Sequence, residues 1–186
     1  PRPGLRSVSE LADAFAAWLE AAGLERPAVV ANSLGCQVVT ELAVREPALV
    51  GPLTLVGPTI DPARRRGRHQ LFAALRDSAR EPVRLLAIAA SDDLNAGMRQ
   101  LVVTARAAFD DRIEERLPFV EQPAVVVRGG DDRFVSAEWA EQVAALLPDG
   151  RLVVVPGEPH AVHFTQPATV ACVVRELLAQ EGDEAL

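Results

Sequence analysis

The sequence predicts an α/β fold: a mostly parallel sheet with helices on both faces, interrupted by a helical insertion. Three observations predict it. Four short runs are continuously apolar, which marks strands buried on both sides. Stretches with helical spacing of apolar residues separate most of these runs, and glycine, proline or a sharp turn closes each one. One stretch of 66 residues, 58 to 123, breaks the alternation and holds no convincing strand.

The first element is a helix over 7–22. Ser7 and Glu10 have the spacing of a capping box. Val8, Leu11, Phe15, Trp18, Leu19 and Ala22 then recur at helical spacing, and Gly23 is a natural stop. Pro27 leads into the first strand, Ala28–Ala31. A helix follows over 34–46, ended by Pro47, because the residue before proline avoids helical angles. Leu53–Val56 is the second strand, closed by Gly57 and Pro58.

Residues 61–118 come next. Phe72, Leu75, Leu85, Leu86, Ile88, Met98, Leu101 and Val102 suggest several short helices there. An insertion that leaves the sheet at the C-terminal end of a strand sits over the place where such sheets bind ligands, so it reads as a cap. Ala124–Val127 is the third strand, closed by Gly129 and Gly130. A helix over 136–147 places Trp139, Val143, Leu146 and Leu147 on one face. Leu152–Val155 is the fourth strand, closed by Pro156 and Gly157, and a last helix covers 168–180. The core is thus divided into 1–60 and 119–186 by a cap at 61–118.

Composition narrows the functional classes. With 186 residues, 49% hydrophobic and 24% charged, the chain is ordinary for one domain with a sizeable core. The net charge of −7 leaves no basic footprint, so nucleic acid is not an expected partner. All 19 basic residues are arginine. Residues 61–118 hold 11 Arg against 9 Asp and Glu, and the rest hold 8 against 17. No apolar run has the length of a membrane-spanning helix, and the first residues do not form a signal peptide. Cys36 and Cys172 are flanked by apolar residues, which predicts two buried reduced thiols in a cytoplasmic protein.

The chemistry begins at the strand-turn-helix of Val29 to Val39, which contains Ala31-Asn32-Ser33-Leu34-Gly35. A serine on a sharp turn between strand and helix holds a strained backbone, and small flanking residues let the turn approach its neighbours. The pattern is G-x-S-x-G with Ala31 in place of the first glycine. The competing assignment is an ordinary turn with Ser33 as helix N-cap. A serine nucleophile needs a base. The third strand runs into Gly129-Gly130-Asp131-Asp132-Arg133-Phe134-Val135, and the fourth into Pro156-Gly157-Glu158-Pro159-His160-Ala161-Val162-His163. Serine, aspartate and histidine therefore all follow the C-terminal ends of parallel strands, in that chain order.

These three segments resemble the α/β-hydrolase superfamily, over essentially the whole chain. Gly129-x-x-Asp132 followed by Phe134-Val135 is similar to the family's acid loop, and Gly157-x-x-His160 followed by Gln166-Pro167 to its histidine loop. The resemblance implies Ser33 as nucleophile, His160 as base and Asp132 as acid, with the Leu34 backbone N–H as one oxyanion donor. The spacing selects Asp132 over Asp131 and His160 over His163. His163 reads as a structural or pocket-wall residue, and an H-x-x-H metal site lacks a third ligand. Asn32, Phe72, Met98 and Phe134 are candidates to line the substrate site. His69, beside Arg64, Arg65, Arg66 and Arg68, lies on a solvated face or at the pocket mouth.

The implied activity is a serine esterase acting on an ester or similar small acyl compound, with no cofactor and no metal. Two alternatives stand beside it. Asn32 resembles the family's carbon–carbon bond hydrolases, although Ala161 stands where those carry tryptophan. A catalytically silent binding protein is the other. The family's second oxyanion donor comes from a loop after an earlier strand, which this sequence does not contain. The chain does not begin with Met, so it is expected to be an excerpt. A homodimer contact or an upstream segment is then expected to pair with the edge of the 28–31 strand.

Overall fold

Residues 6–64 and 98–184 are described in the computed structural model. Helix α1 (Val8–Ala22) begins as its capping spacing requires: Ser7 Oγ accepts from the Glu10 N–H at 3.1 Å, and Gly23 stops the helix at φ 65°. The Glu10 carboxylate takes the N–H of Arg6 instead of that of Ser7, so the box closes one residue early. Its inward stripe also differs from the expected one. Val8, Ala12 and Leu19 are buried and Phe15 packs beside them, while Trp18 is 56% exposed and stacks on Phe15. Positions 8, 12, 15 and 19 form one ridge, and Trp18 lies about 100° round the helix from Leu19.

Four strands follow: β1 (Val29–Asn32), β2 (Leu53–Val56), β3 (Ala124–Gly129) and β4 (Gly150–Val155). They pair in parallel in the order β1-β2-β3-β4. Each lies within a residue or two of its expected range. Because Asn32 is in register with Val56, Val56 with Val127, and Gly129 with Val155, all four strands end on one edge.

Side-chain alternation on these strands builds two cores. On one face, Val29, Ala31, Leu53, Leu55, Ala124 and Val126 pack against α1, against α2 (Leu34–Arg45) and against the helix Ala137–Leu146. Trp139 fills the centre of that last contact and is 2% exposed. On the other face, Val56, Val125 and Val127 meet Val170, Val173 and Leu177 of the final helix, Pro167–Glu184. Each large side chain buried here contributes about 1.5–3 kcal/mol. Helices on both faces of a parallel sheet are what the sequence predicted.

The described end of the insertion is helical, with α3 (Met98–Asp110) and α4 (Ile113–Arg116). Polar contacts fasten it to α2: Gln37 Nε2 donates to Ala108 O at 3.0 Å, and Arg116 bridges Glu41 at 3.1 Å and Asp111 at 2.6 Å. Burial pushes the Asp111 carboxyl up from its ordinary value, against the pull of Arg116. Phe72, His69, Arg65, Arg66, Arg68 and the side chains of Arg64 and Met98 lie outside the described residues.

The cysteine expectation needs correction. Cys36 is buried, but Cys172 is an exposed free thiol. The last helix turns 170, 173 and 177 inward, which leaves 172 on its outer side. Among the described residues, no helix is long and apolar enough to cross a membrane.

Candidate active site

Ser33 sits between β1 and α2 with φ 55° and ψ −120°. A non-glycine residue there stores strain on the order of 1–3 kcal/mol, held by its surroundings. One carbonyl does much of the holding. Val56 O accepts from the Ser33 N–H at 3.0 Å and from Asn32 Nδ2 at 3.1 Å, and the single Cys36 thiol proton is divided between Ala31 O at 3.4 Å and Val56 O at 3.5 Å. Burial raises the Cys36 thiol well above its ordinary value, so it stays a neutral donor. Ser33 does occupy the N-cap position of α2, but its hydroxyl makes no capping bond to the helix. Leu34 opens the helix, so its N–H has no intrahelical acceptor. Gly35 is less constrained than expected: an added Cβ would meet only Ala31 Cβ, at an ordinary 3.6 Å.

Asp132 and His160 follow the ends of β3 and β4. Asp132 is 4% exposed and His160 9%. Asp132 Oδ1 accepts from the N–H groups of Phe134 at 2.8 Å and Val135 at 3.0 Å. Oδ2 is left to face His160 Nδ1, also at 2.8 Å. The two loops are tied by backbone: Gly130 N–H donates to Val155 O at 2.7 Å and Asp131 N–H to Glu158 O at 2.9 Å. They are also so close that a Cβ on Gly129 would collide with the carbonyls of Glu158 and Pro159.

Gly57 joins the serine to this pair. It follows Val56, whose carbonyl holds Ser33, and its own N–H donates to Val127 O at 2.8 Å. A Cβ on Gly57 would stand 2.7 Å from His160 Cε1, 2.8 Å from Nδ1 and 3.4 Å from Asp132 Oδ2. The imidazole therefore lies over the Gly57 Cα, just past the end of β2, the strand that pairs with β1. Phe134 packs on the same ring, with centroids 4.9 Å apart. His163 is half-buried, its Nδ1 has no hydrogen-bond partner, and burial together with His160 holds its pKa below the ordinary 6.5. Among the described residues, no group of three His, Cys, Asp or Glu could hold a metal ion.

The comparisons with known proteins bear on the family and the fold. The profile of the "Alpha/beta hydrolase family" matches residues 1–171. The chain belongs to the α/β-hydrolase family. Among its relatives is a protein of Shigella flexneri serotype 5b named "Putative carbamate hydrolase RutD", 30% identical over 200 residues, or 93% of this chain and 73% of the relative. Among solved structures, E-2-(acetamidomethylene)succinate hydrolase superposes with a TM-score of 0.77 at 20% identity, over 96% of this chain and 76% of that one. Est816, described as an N-acyl homoserine lactone degrading enzyme, gives 0.73 at 21%, over 95% and 77%. At that identity the likeness is one of fold.

Five residues that brace the site carry no site role in the sequence reading: Gly57, Asp61, Arg128, Ser136 and Trp139. Gly57 was read only as a strand terminator. Arg128 carries a signal in hindsight, a charge inside an apolar strand. Asp61 and Ser136 share a hydrogen bond of 3.1 Å, and Trp139 Nε1 donates to Pro58 O at 2.9 Å. These two contacts brace the segment after β2 against the helix after the acid loop, and 75 residues separate Asp61 from Ser136. A cavity of about 500 Å3 between α1, α2 and α3 shares no residue with the site. Its lining includes Arg6, Arg106 and Arg116 against Glu41, Asp110 and Asp111, so it selects neither sign of charge.

Proposed function

We propose that the chain is a serine hydrolase acting on esters, carbamates or similar small acyl compounds through Ser33, His160 and Asp132. The observation that supports it most is a strained serine just past β1, next to the end of β2, where the His160 imidazole stands over Gly57. His160 Nδ1 is occupied by Asp132, which fixes the tautomer and leaves Nε2 as the base.

In this reading Ser33 Oγ attacks the carbonyl carbon as its proton passes to His160 Nε2. The oxyanion takes the Leu34 N–H. Collapse expels the alcohol or amine, which receives the proton from His160. A water then attacks the acyl-serine and loses its proton to the same nitrogen, which passes it to Ser33 Oγ as the acyl–oxygen bond breaks and the acid leaves. Asp132 stabilises the imidazolium in both halves. Carbamates enter because relatives carry that name and their carbonyl carbon is attacked in the same way.

Hydrolysis of p-nitrophenyl acetate and a p-nitrophenyl carbamate by the wild type, with Ser33→Ala as control, tests the reading. Turnover that depends on Ser33 supports it. A folded wild type that cleaves neither compound contradicts it and favours a binding protein.

A further inference from the structure

All six residues of β3 are buried, yet the fifth is Arg128, 8% exposed. A buried guanidinium is costly unless its donors are met. Here Nε donates to Val135 O at 2.8 Å, one terminal nitrogen to Asp132 O at 2.9 Å and the other to Gly130 O at 3.2 Å. All three acceptors are backbone carbonyls of one loop, and none is a carboxylate. An apolar side chain would fill the strand at less desolvation cost. What arginine adds is a rigid planar fork that fixes three points at once.

Those points surround Asp132. Its Oδ1 takes the Val135 N–H, the Val135 carbonyl takes Arg128 Nε, and Arg128 returns to the Asp132 carbonyl. The ring of contacts leaves Oδ2 aimed at His160 Nδ1. We infer that Arg128 is a positioning residue: its guanidinium holds the 130–135 loop in the shape that points Asp132 at His160. This rests on the proposed function for its catalytic consequence, but not for its structural one.

The experiment compares wild type, Arg128→Lys and Arg128→Met by two readouts. One is the rate of reaction with a fluorophosphonate probe. The other is the pKa of His160 titrated by NMR, which falls when a carboxylate partner moves away. Arg128→Met is expected to slow labelling about 100-fold, the effect of a misplacement of ~1 Å, and to lower the His160 pKa. Lysine is one point charge and cannot span three carbonyls, so it is expected to slow labelling about tenfold. A folded Arg128→Lys protein that labels within about twofold of wild type, with an unchanged His160 pKa, overturns the inference whether or not the methionine variant folds. If the wild type itself does not label, the proposed function fails, and the His160 titration alone decides the role of Arg128.

Discussion

The turn that carries Ser33 and the loops that carry Asp132 and His160 end strands of one sheet, but contacts of different density hold them. The serine turn is held sparsely: an unusual φ, one carbonyl that takes the Ser33 N–H and the Asn32 amide, and a helix start. The acid and histidine loops are held by side chains and by close approach: a guanidinium on three carbonyls, a carboxylate on two amides, and glycines where a Cβ would collide. In the proposed mechanism the nucleophile must be open to substrate, so little can touch its hydroxyl and the strain sits in its backbone. A base and its acid have to be oriented, and burial permits dense contact.

This contrast can be broken from both sides. The largest effect is expected at the hydroxyl: Ser33→Gly should lower acyl transfer on the order of 10^6-fold, read by ester hydrolysis. The same variant should gain about 1 kcal/mol of stability in denaturant melts, because glycine tolerates φ 55°. Asp132→Asn keeps the shape but gives His160 the wrong partner, and kcat should fall about 10^4-fold.

Gly57→Ala should cost about 100-fold in kcat, because its Cβ would have to displace the His160 ring. Gly35→Ala is the counter-case on the serine side. With only a 3.6 Å contact to make, it should change kcat less than about twofold and stabilise the helix by about 0.5–1 kcal/mol. The smallest effect concerns His163. Its folded-state pKa lies below 6.5, so the unfolded chain binds more protons and stability is lost as pH falls through 6.5 toward the folded value. His163→Gln should flatten that slope in denaturant melts between pH 7 and 5, modestly because the ring is half exposed.

How much of this was legible in sequence follows the same division. The strands were visible because burial on both faces leaves an unbroken apolar run, as in Val125-Val126-Val127. The serine turn was visible as a local strand-turn-helix pattern around Ser33, and the pairing of Asp132 with His160 because both follow strand ends. The braces were not. Gly57 is required by an imidazole that stands 103 positions later, a contact made only once β2 and the histidine loop meet. Arg128 falls just past the expected third strand and draws no reading there, because nothing local shows that its donors find the carbonyls of 130, 132 and 135. Trp18 was misplaced because spacing alone does not fix which margin of an apolar stripe the neighbouring helix covers. Cys172 was misplaced because apolar neighbours on a helix point in several directions.

The central claim is that Ser33 is the nucleophile activated by the buried His160–Asp132 pair. Peptide mapping by tandem mass spectrometry, after a fluorophosphonate has reacted to completion with the wild type, tests it most directly. The account predicts one adduct, on Ser33, absent from His160→Ala under the same exposure. An adduct on another residue, or an unmodified Ser33 in a folded protein, would contradict it.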